Sequence, residues 1–257
     1  MTTPSVELIQ FHRSHYNEKV RWALDWKGVP HVRRSLLPGP HAPTILRLTG
    51  KTEVPVLRID GDVIGGSAAI LDALERRFPD PPLLPADATA RDTALELARH
   101  FDDEVGPVVR RGFIGHILAE STYLCEVFAS DRSLLARRAY RVLFPVTKRL
   151  MARSMGIRGP ASIEAAADAT ARALDLVAER ADRTGYLVGE TFTIADLTAA
   201  ALLAPAVAPD HRDMAYPTPY VASFDRWLGR FRDHPGAAWV RAVYARDRPT
   251  ESSAVVA

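Results

Sequence analysis

The segment that most constrains the fold is residues 53–70, EVPVLRIDGDVIGGSAAI. Two apolar runs flank Asp60 and Gly61, and an Asp-Gly pair between such runs is a strong hairpin signal, because both turn residues need positive φ. Pro55 stands at the start of the first strand, where its missing N–H costs least. The second run leads through two glycines to Ser67, which predicts a helix start whose free N–H groups suit a carboxylate or phosphate.

The chain before and just after this hairpin alternates strands and helices. Strands are predicted over 6–11 and 32–37, and helices over 17–27, 43–48 and 67–78. Gly28 provides a C-cap for the first helix, and Pro30 prevents its continuation. The resulting order, β-α-β-α-β-β-α, resembles a thioredoxin-like α/β domain over 1–79.

A proline-rich segment, PDPPLLPADA, follows and predicts a linker over 80–88. The rest of the chain, 89–257, is predicted to be an all-helical domain. Gly106-Pro107 is expected to kink or break its first helix. The predicted helices cover 89–120, 131–155, 161–183, 193–207, 218–232 and 236–245.

One helix start in the second half has a sharp local signal. Thr193 is a candidate N-cap, and Asp196 stands three residues later, as in a capping box with Asp in place of the usual Glu or Gln. Phe192 and Leu197 occupy the positions of a hydrophobic staple. The pattern predicts a well-fixed helix beginning at this point.

Composition limits the classes of partner. The chain has 33 basic and 31 acidic side chains, so its net charge provides no strong field for nucleic acid or anionic membrane. Its single cysteine, Cys125, excludes an internal disulfide and is interpreted as a small hydrophobe. The first residues lack a signal-peptide pattern, and the longest apolar stretch, 199–208, is too short to span a bilayer. We therefore expect a soluble, cytoplasmic protein.

Three motifs together resemble the cytosolic glutathione transferase family. They are the Val-Pro hairpin with its following serine, the capping motif, and the ending HPGAAWVRAVYARDR from His234. A fourth stretch, SHYNEKVRWAL from Ser14, resembles the start of the first helix in the serine classes of that family. The resemblance implies a thioredoxin-like domain, an all-helical second domain, glutathione as co-substrate and a homodimer.

The resemblance places the activating serine at Ser14. In the cysteine classes a cysteine occupies the position matched by Asn17, so thiol exchange through an enzyme disulfide is not expected. Asn17 would be the second donor to a bound sulfur and Tyr16 the third. From the residues alone, Ser14 and Asn17 equally suit capping of the first helix.

The resemblance also implies how the tripeptide is held. The backbone of Val54, oriented by a cis bond before Pro55, would pair with the cysteinyl part. Ser67 would bind the γ-glutamyl carboxylate, and Lys51 the glycyl carboxylate. The residue before that serine is normally acidic, whereas here it is Gly66, which would weaken binding by about 1.5–3 kcal/mol.

An acid from residues 102–104 of a dimer partner would compensate for this change, as in relatives. The electrophile pocket is expected between the domains, lined by 99–113 and by Tyr123 and Tyr140. His12 and His15 alone do not predict a metal site, since no familiar ligand set accompanies them. The leading hypothesis is addition of the glutathione thiolate to an electrophilic small molecule. The alternatives are a non-catalytic scaffold, an enzyme that uses another low-molecular-weight thiol, and a glutathione-assisted lyase or isomerase.

Overall fold

The computed structural model describes residues 5–255, so the outermost residues of both predicted domains, 1–4 and 256–257, lie outside the described residues. A five-stranded sheet has the order β4-β3-β1-β2-β5. β1 pairs in parallel with β2 and antiparallel with β3, β3 pairs antiparallel with β4, and β2 pairs in parallel with β5. The strands are β1 Val6–Gln10, β2 His31–Ser35, β3 Val56–Ile59, β4 Asp62–Gly65 and β5 Ala254–Val255.

Three helices accompany the sheet and eight follow it. The first three are α1 His15–Trp26, α2 Ala42–Thr49 and α3 Ser67–Arg77. The others are α4 Ala88–His100, α5 Gly106–Ile117, α6 Ser121–Ala129, α7 Leu134–Ser154, α8 Pro160–Ala181, α9 Ile194–Val207, α10 Ala222–Gly229 and α11 Pro235–Asp247. This arrangement confirms a thioredoxin-like domain followed by a helical one.

The hairpin has the predicted geometry. Asp60 and Gly61 have φ values of 50° and 99°, as an Asp-Gly turn between two strands requires. The Val54-Pro55 peptide bond is cis, as the resemblance implied. The Gly66 N–H donates to the Pro55 carbonyl at 3.0 Å, which holds the start of α3 beside the start of β3.

The α9 capping box is confirmed, and it is buried. Asp196 accepts hydrogen bonds from the backbone N–H of Thr193 at 2.9 Å and from that of Leu187 at 2.7 Å. The staple residues Phe192 and Leu197 both lie in the core. The capping box therefore fixes the loop before α9 as well as the helix itself, and α9 packs directly against α1 of the first domain.

Two predictions for the second half were wrong. Residues 121–129 form a separate helix, α6, before α7, where no helix was expected. The last described residues are not helical, since Ala254–Val255 adds a parallel strand beside β2. A strand of two residues is too short to produce an alternating pattern, and its position is fixed instead by Asp25, which accepts the Ser253 N–H at 2.9 Å.

Arg248 joins the C-terminal segment to the first domain through a buried charge network. Its guanidinium lies 2.8 Å from Glu18, 2.9 Å from Asp25 and 2.9 Å from Asp213. Arg21 and Arg33 complete the network from α1 and β2. Every carboxylate in it thus has a cationic partner, which a buried charge requires.

Candidate functional site

A cavity of about 620 Å³ lies between the sheet domain and the helical domain. Its first wall comes from the β1–α1 junction and the segment before β3, and its second from α5 and the inner side of α7. The lining includes Ser14, Tyr16, His41, Val54, Arg110, Phe113 and Met151. A concave, mostly apolar space with a few polar groups at a domain junction is typical of a small-molecule site.

Ser14 lies at the wall of this cavity, at the N-terminus of α1. It is the N-cap by backbone conformation, with φ −96° and ψ 131°, but its side chain makes no capping hydrogen bond. The α1 backbone N–H groups and the unused hydroxyl therefore point toward the same end of the helix, where partial positive charge favours an anion. The side chain of Ser14 therefore does not cap α1, which was the alternative role that its residue type allowed.

Tyr16 also lines the cavity, but its hydroxyl is already engaged. It donates to the Asp102 carbonyl oxygen at 2.6 Å. Burial raises the pKa of the Tyr16 hydroxyl well above its ordinary value. The phenol therefore remains protonated and held by the backbone, so that it is poorly placed to donate to a ligand.

The structure does not bring Asn17 to the cavity. Its side chain is completely buried, and neither amide atom has a hydrogen-bond partner among the described residues. The residue that precedes Tyr16, His15, is buried too and contacts the Gly106 carbonyl through Nε2 at 3.1 Å. Burial, assisted by Arg110, lowers the pKa of His15 to about 3, so its ring is neutral in ordinary buffers.

A π-helical turn, Phe101–Val105, separates α4 from α5, next to the predicted break at Gly106. Its Asp102 carbonyl accepts from Tyr16, and the Gly106 carbonyl just after it contacts His15, which together fix the β1–α1 junction against the helical domain. Gly106 permits this close approach, because a Cβ there would lie 2.5 Å from the Tyr16 hydroxyl oxygen.

The segment before β3 offers a free backbone edge. Val54 lines the cavity, and its N–H and C=O make no hydrogen bond within residues 5–255. It is half-buried and directly precedes the cis Pro55. An extended ligand would find both a donor and an acceptor here, as in β-strand addition.

Ser67 is the first residue of α3, is buried and does not line the cavity. Gly66 has φ 91° and ψ 137°, a conformation that favours glycine. A Cβ at Gly66 would contact nothing, so the backbone angle rather than crowding opposes a side chain. Lys51 is exposed and does not line the cavity.

The acids of residues 102–104 differ in their availability. Asp102 pairs with the buried Lys19 at 2.5 Å. Burial raises the pKa of the Asp102 carboxyl, although Lys19 opposes the shift. Asp103 and Glu104 are exposed. The Lys19–Asp102 pair joins α1 to the π-helical turn, so the Asp102 carboxylate is already engaged. The carboxylates of Asp103 and Glu104 remain at the surface.

The second wall departs from the expectation. Arg110, Phe113 and Ile114 of α5 line the cavity, within the predicted range 99–113 or next to it. Tyr123 and Tyr140 do not line it: the Tyr123 hydroxyl donates to the Pro217 carbonyl, and the Tyr140 hydroxyl to the carbonyl of Pro38, which is itself a lining residue. Residues of α7, including Thr147 and Met151, line the second wall instead of these tyrosines. The signal in the sequence for this was the amphipathic pattern of α7, which indicates that one side of the helix is buried.

Arginine side chains give the cavity its charge, with Arg13 on the first wall and Arg110 and Arg153 on the second. Arg13 donates to backbone carbonyls and to Ser130, so its guanidinium is used in holding the structure. Arg110 lies above the Tyr16 ring at 5.8 Å, and its buried Nε has no partner among the described residues. Arg110 falls within the range 99–113 that was expected to line the pocket. An unpaired guanidinium in a cavity wall marks a place for an anionic group.

Cys125 is not part of this site. It is buried, and burial raises the pKa of its thiol to about 11. The interpretation as a small core residue agrees with this environment.

Comparison with known proteins identifies the family. Residues 8–82 match the family model for the glutathione S-transferase N-terminal domain, and residues 160–246 match that for the C-terminal domain. The chain belongs to the glutathione S-transferase family. The two matches follow the order of the sheet domain and the helical domain, and together they cover more than half of the chain.

Curated relatives are similar over part of the chain. A maleylpyruvate isomerase from a Ralstonia species is 30% identical over 133 residues, 51% of this chain and 59% of that protein. A zeta-class glutathione S-transferase from Euphorbia esula is 35% identical over 109 residues, 41% of this chain and 48% of that protein. The chain thus spans only about half of the length of the curated relatives it matches.

Solved structures of the family have the same fold along almost the whole chain. A glutathione S-transferase from Rhodospirillum rubrum is 23% identical with a TM-score of 0.64, over 94% of this chain and 88% of that one. Rice GST1, solved in complex with glutathione, is 18% identical with a TM-score of 0.64, over 97% and 92%.

Proposed function

We propose that this chain binds glutathione against the first wall of the cavity and directs its thiolate to an electrophilic small molecule at the second. The observation that carries the proposal is the position of Ser14. Its hydroxyl is free of capping and lines the same cavity as the unpaired Val54 backbone. A transferase of this family needs both a donor for sulfur and a backbone edge for the peptide.

The thiolate requires preferential stabilisation. A free thiol has a pKa near 8.5, so only a few per cent is ionised at pH 7, and lowering that value by two units takes about 2.7 kcal/mol. The Ser14 hydroxyl and the N-terminus of α1 act together on one anion. Asn17 and Tyr16 contribute less in this proposal, since one is buried away from the cavity and the other already donates to Asp102.

Ser67 and the N–H groups at the start of α3 would hold the γ-glutamyl carboxylate. With Gly66 in the preceding position, the acid at that end would come from Asp103 or Glu104 across a homodimer interface, in a cytoplasmic protein. Lys51 would approach the glycyl carboxylate from the exposed rim.

A glutathione-dependent isomerase is the second candidate, and Arg110 favours it. Two relatives are named maleylpyruvate isomerase and maleylacetoacetate isomerase, and both names denote anionic, unsaturated substrates. An unpaired guanidinium on the second wall suits such a substrate. In that case the thiolate adds to the double bond and departs again after rotation, so that glutathione is regenerated.

Titration calorimetry with reduced glutathione tests the proposal. We expect saturable binding that Ser67→Ala abolishes and Ser162→Ala leaves intact, because Ser162 also stands in the first turn of a helix but does not line the cavity. Equal binding by both variants would contradict the assigned site. Absence of binding by the unaltered protein would favour another thiol or a non-catalytic scaffold.

A further inference from the structure

Helices α6 and α7 form an excursion between two helices that pack against each other. α5 and α8 are in extensive direct contact, yet residues 118–159 leave and return between them. The two family models leave residues 83–159 unmatched. The excursion therefore lies, together with α4 and α5, in the stretch between the two matches.

The inner side of α7 is buried and faces the rest of the protein. Tyr140, Phe144, Thr147 and Met151 are buried on that side, and the Tyr140 hydroxyl donates to the Pro38 carbonyl at 3.1 Å. Spacings of three and four residues place them on one helix face. This contact fixes α7 on the first domain and leaves its opposite side to solvent.

The opposite side carries an apolar stripe that no element within residues 5–255 covers. Leu135, Val142, Val146 and Leu150 are 79%, 80%, 61% and 61% exposed, and Leu150, at the end of the stripe, also lines the cavity. Their spacings of seven, four and four residues place them along one side of the helix over four turns. A contiguous exposed stripe of this kind indicates an interaction surface, unlike the scattered apolar residues of ordinary protein surfaces.

The same helix is strongly basic. Its 21 residues include six basic side chains and no acidic one: Arg137, Arg138, Arg141, Lys148, Arg149 and Arg153. Glu126 of α6 neutralises the first and third of these. Arg138, Arg149 and Arg153 have no ion pair within residues 5–255, and the last two line a surface groove of about 590 Å³ together with Arg158.

These charges determine which occupant fits. Two copies of α7 packed antiparallel about a two-fold axis would bring their basic flanks side by side, which disfavours self-association through this face. An apolar stripe flanked by unpaired arginines is instead the pattern of a helix that lies in the interface of an anionic bilayer. The groove would accept a phosphate headgroup beside the buried stripe.

We propose that the outer side of α7 docks this protein on membranes that contain anionic phospholipid. Leu135, Val142, Val146 and Leu150 enter the interfacial layer, while Arg138, Arg149, Arg153 and Arg158 contact headgroup phosphates. The near-neutral total charge conceals this surface because the balancing acids lie on other elements. Since α7 also walls the cavity through Met151, docking places that cavity next to the bilayer.

Vesicle sedimentation tests the proposal with the whole protein. Phosphatidylcholine vesicles with and without phosphatidylglycerol are compared at low and high salt. We expect binding to the anionic vesicles only, weakened about tenfold or more by high salt, by Val142→Glu with Val146→Glu, and by Arg138→Glu with Arg149→Glu. Arg172→Glu, on the exposed side of α8, serves as a matched control and binds as the unaltered protein does.

Circular dichroism confirms that each variant is folded before binding is compared. Equal binding to neutral and anionic vesicles, or none to either, would overturn the proposal. So would self-association in the absence of vesicles that Val142→Glu abolishes, because α7 would then contact a second copy. Inhibition of vesicle binding by free inorganic phosphate at low millimolar concentration would show a soluble-anion site instead.

Discussion

The Tyr16 hydroxyl donates to the carbonyl oxygen of Asp102 at 2.6 Å, across the junction between the two domains. The phenol is thereby committed to the π-helical turn, whereas the neighbouring Ser14 hydroxyl has no capping bond. The two hydroxyls at the N-terminus of α1 thus have different roles. One fixes the junction, and the other remains available to a ligand.

We therefore expect Ser14→Ala and Tyr16→Phe to have different effects on the thiol pKa and on stability. Ser14→Ala should raise the pKa of bound glutathione by about one to two units, each unit corresponding to ~1.4 kcal/mol. Tyr16→Phe should leave that pKa unchanged and lower stability by about 1 kcal/mol, because one hydrogen bond is lost. Ultraviolet absorbance of the thiolate against pH measures the first quantity. An unchanged pKa in Ser14→Ala would refute the role given to this serine.

Gly66 should lower the affinity for glutathione, and its backbone conformation should make any other residue at this position destabilising. Gly66→Glu supplies the carboxylate that relatives carry, so binding of glutathione should strengthen roughly ten- to hundredfold. The positive φ of 91° makes any side chain costly, and stability should fall by about 1–3 kcal/mol. Gly66→Ala is the control, since it has the backbone cost without the carboxylate. Calorimetry and thermal unfolding together distinguish the two effects, and equal affinities in both variants would rule out a role for the acid.

Arg110 should govern the affinity for anionic acceptors. With Arg110→Gln, KM for a carboxylate-bearing electrophile should rise about ten- to hundredfold, as expected for loss of a charged hydrogen bond, while KM for a neutral acceptor stays the same. Arg110→Lys retains the charge and should recover part of the loss. Steady-state kinetics with both acceptors provide the measurement. A parallel change for the neutral acceptor would indicate that Arg110 only shapes the wall.

Arg248 should matter far more for stability than any exposed arginine. Arg248→Met leaves three carboxylates short of a partner in a buried place, so the free energy of unfolding should fall by about 3–5 kcal/mol. Arg76→Met removes the exposed Arg76–Asp72 pair and should cost less than about 1 kcal/mol. Urea unfolding of both variants measures the difference. Similar losses would mean that the network adds little.

The same network predicts that the stability of the protein decreases at acidic pH. Burial by itself raises the pKa of Asp213, but Arg21, Arg33 and Arg248 outweigh burial and hold that pKa well below its ordinary 3.8. A carboxyl with a depressed folded-state pKa stabilises the protein above the unfolded-state value, and this contribution is lost as the pH falls below it. Stability should therefore decline below pH 3.8, and less steeply in Arg248→Met. Unfolding followed at several acidic pH values tests the slope.

Asp196 should be among the residues of the helical domain on which stability depends most. Asp196→Ala leaves the buried N–H groups of Thr193 and Leu187 without an acceptor, for a loss of about 2–4 kcal/mol. Asp196→Asn retains one acceptor oxygen and should lose less. Burial raises the pKa of the Asp196 carboxyl to about 6. Its stabilising contribution is thus fully present at low pH and diminishes as the pH rises through 6, a trend opposite to that of Asp213.

The local motifs determined much of this protein. The Asp60-Gly61 turn and the Thr193 capping box depend on residues within a few positions of one another, while the cis bond before Pro55 was implied by the family resemblance. Such signals are local in origin, because turn geometry and helix capping involve neighbouring backbone groups. The family resemblance rested on the same motifs and therefore identified the fold.

The tertiary structure decided what distant residues do to each other. Tyr16 lost its free hydroxyl to a carbonyl 86 residues away, and Asn17 was turned from the cavity into the core. Arg110 lies in the second wall with no ion pair within residues 5–255, and Ala254–Val255 became a strand because Asp25 binds the preceding backbone. Burial and pairing depend on the packing of whole elements, so no spacing along the chain reveals them. The sequence alone thus determined most of the elements that form, and packing decided the two-residue strand β5 and which side chains face the cavity.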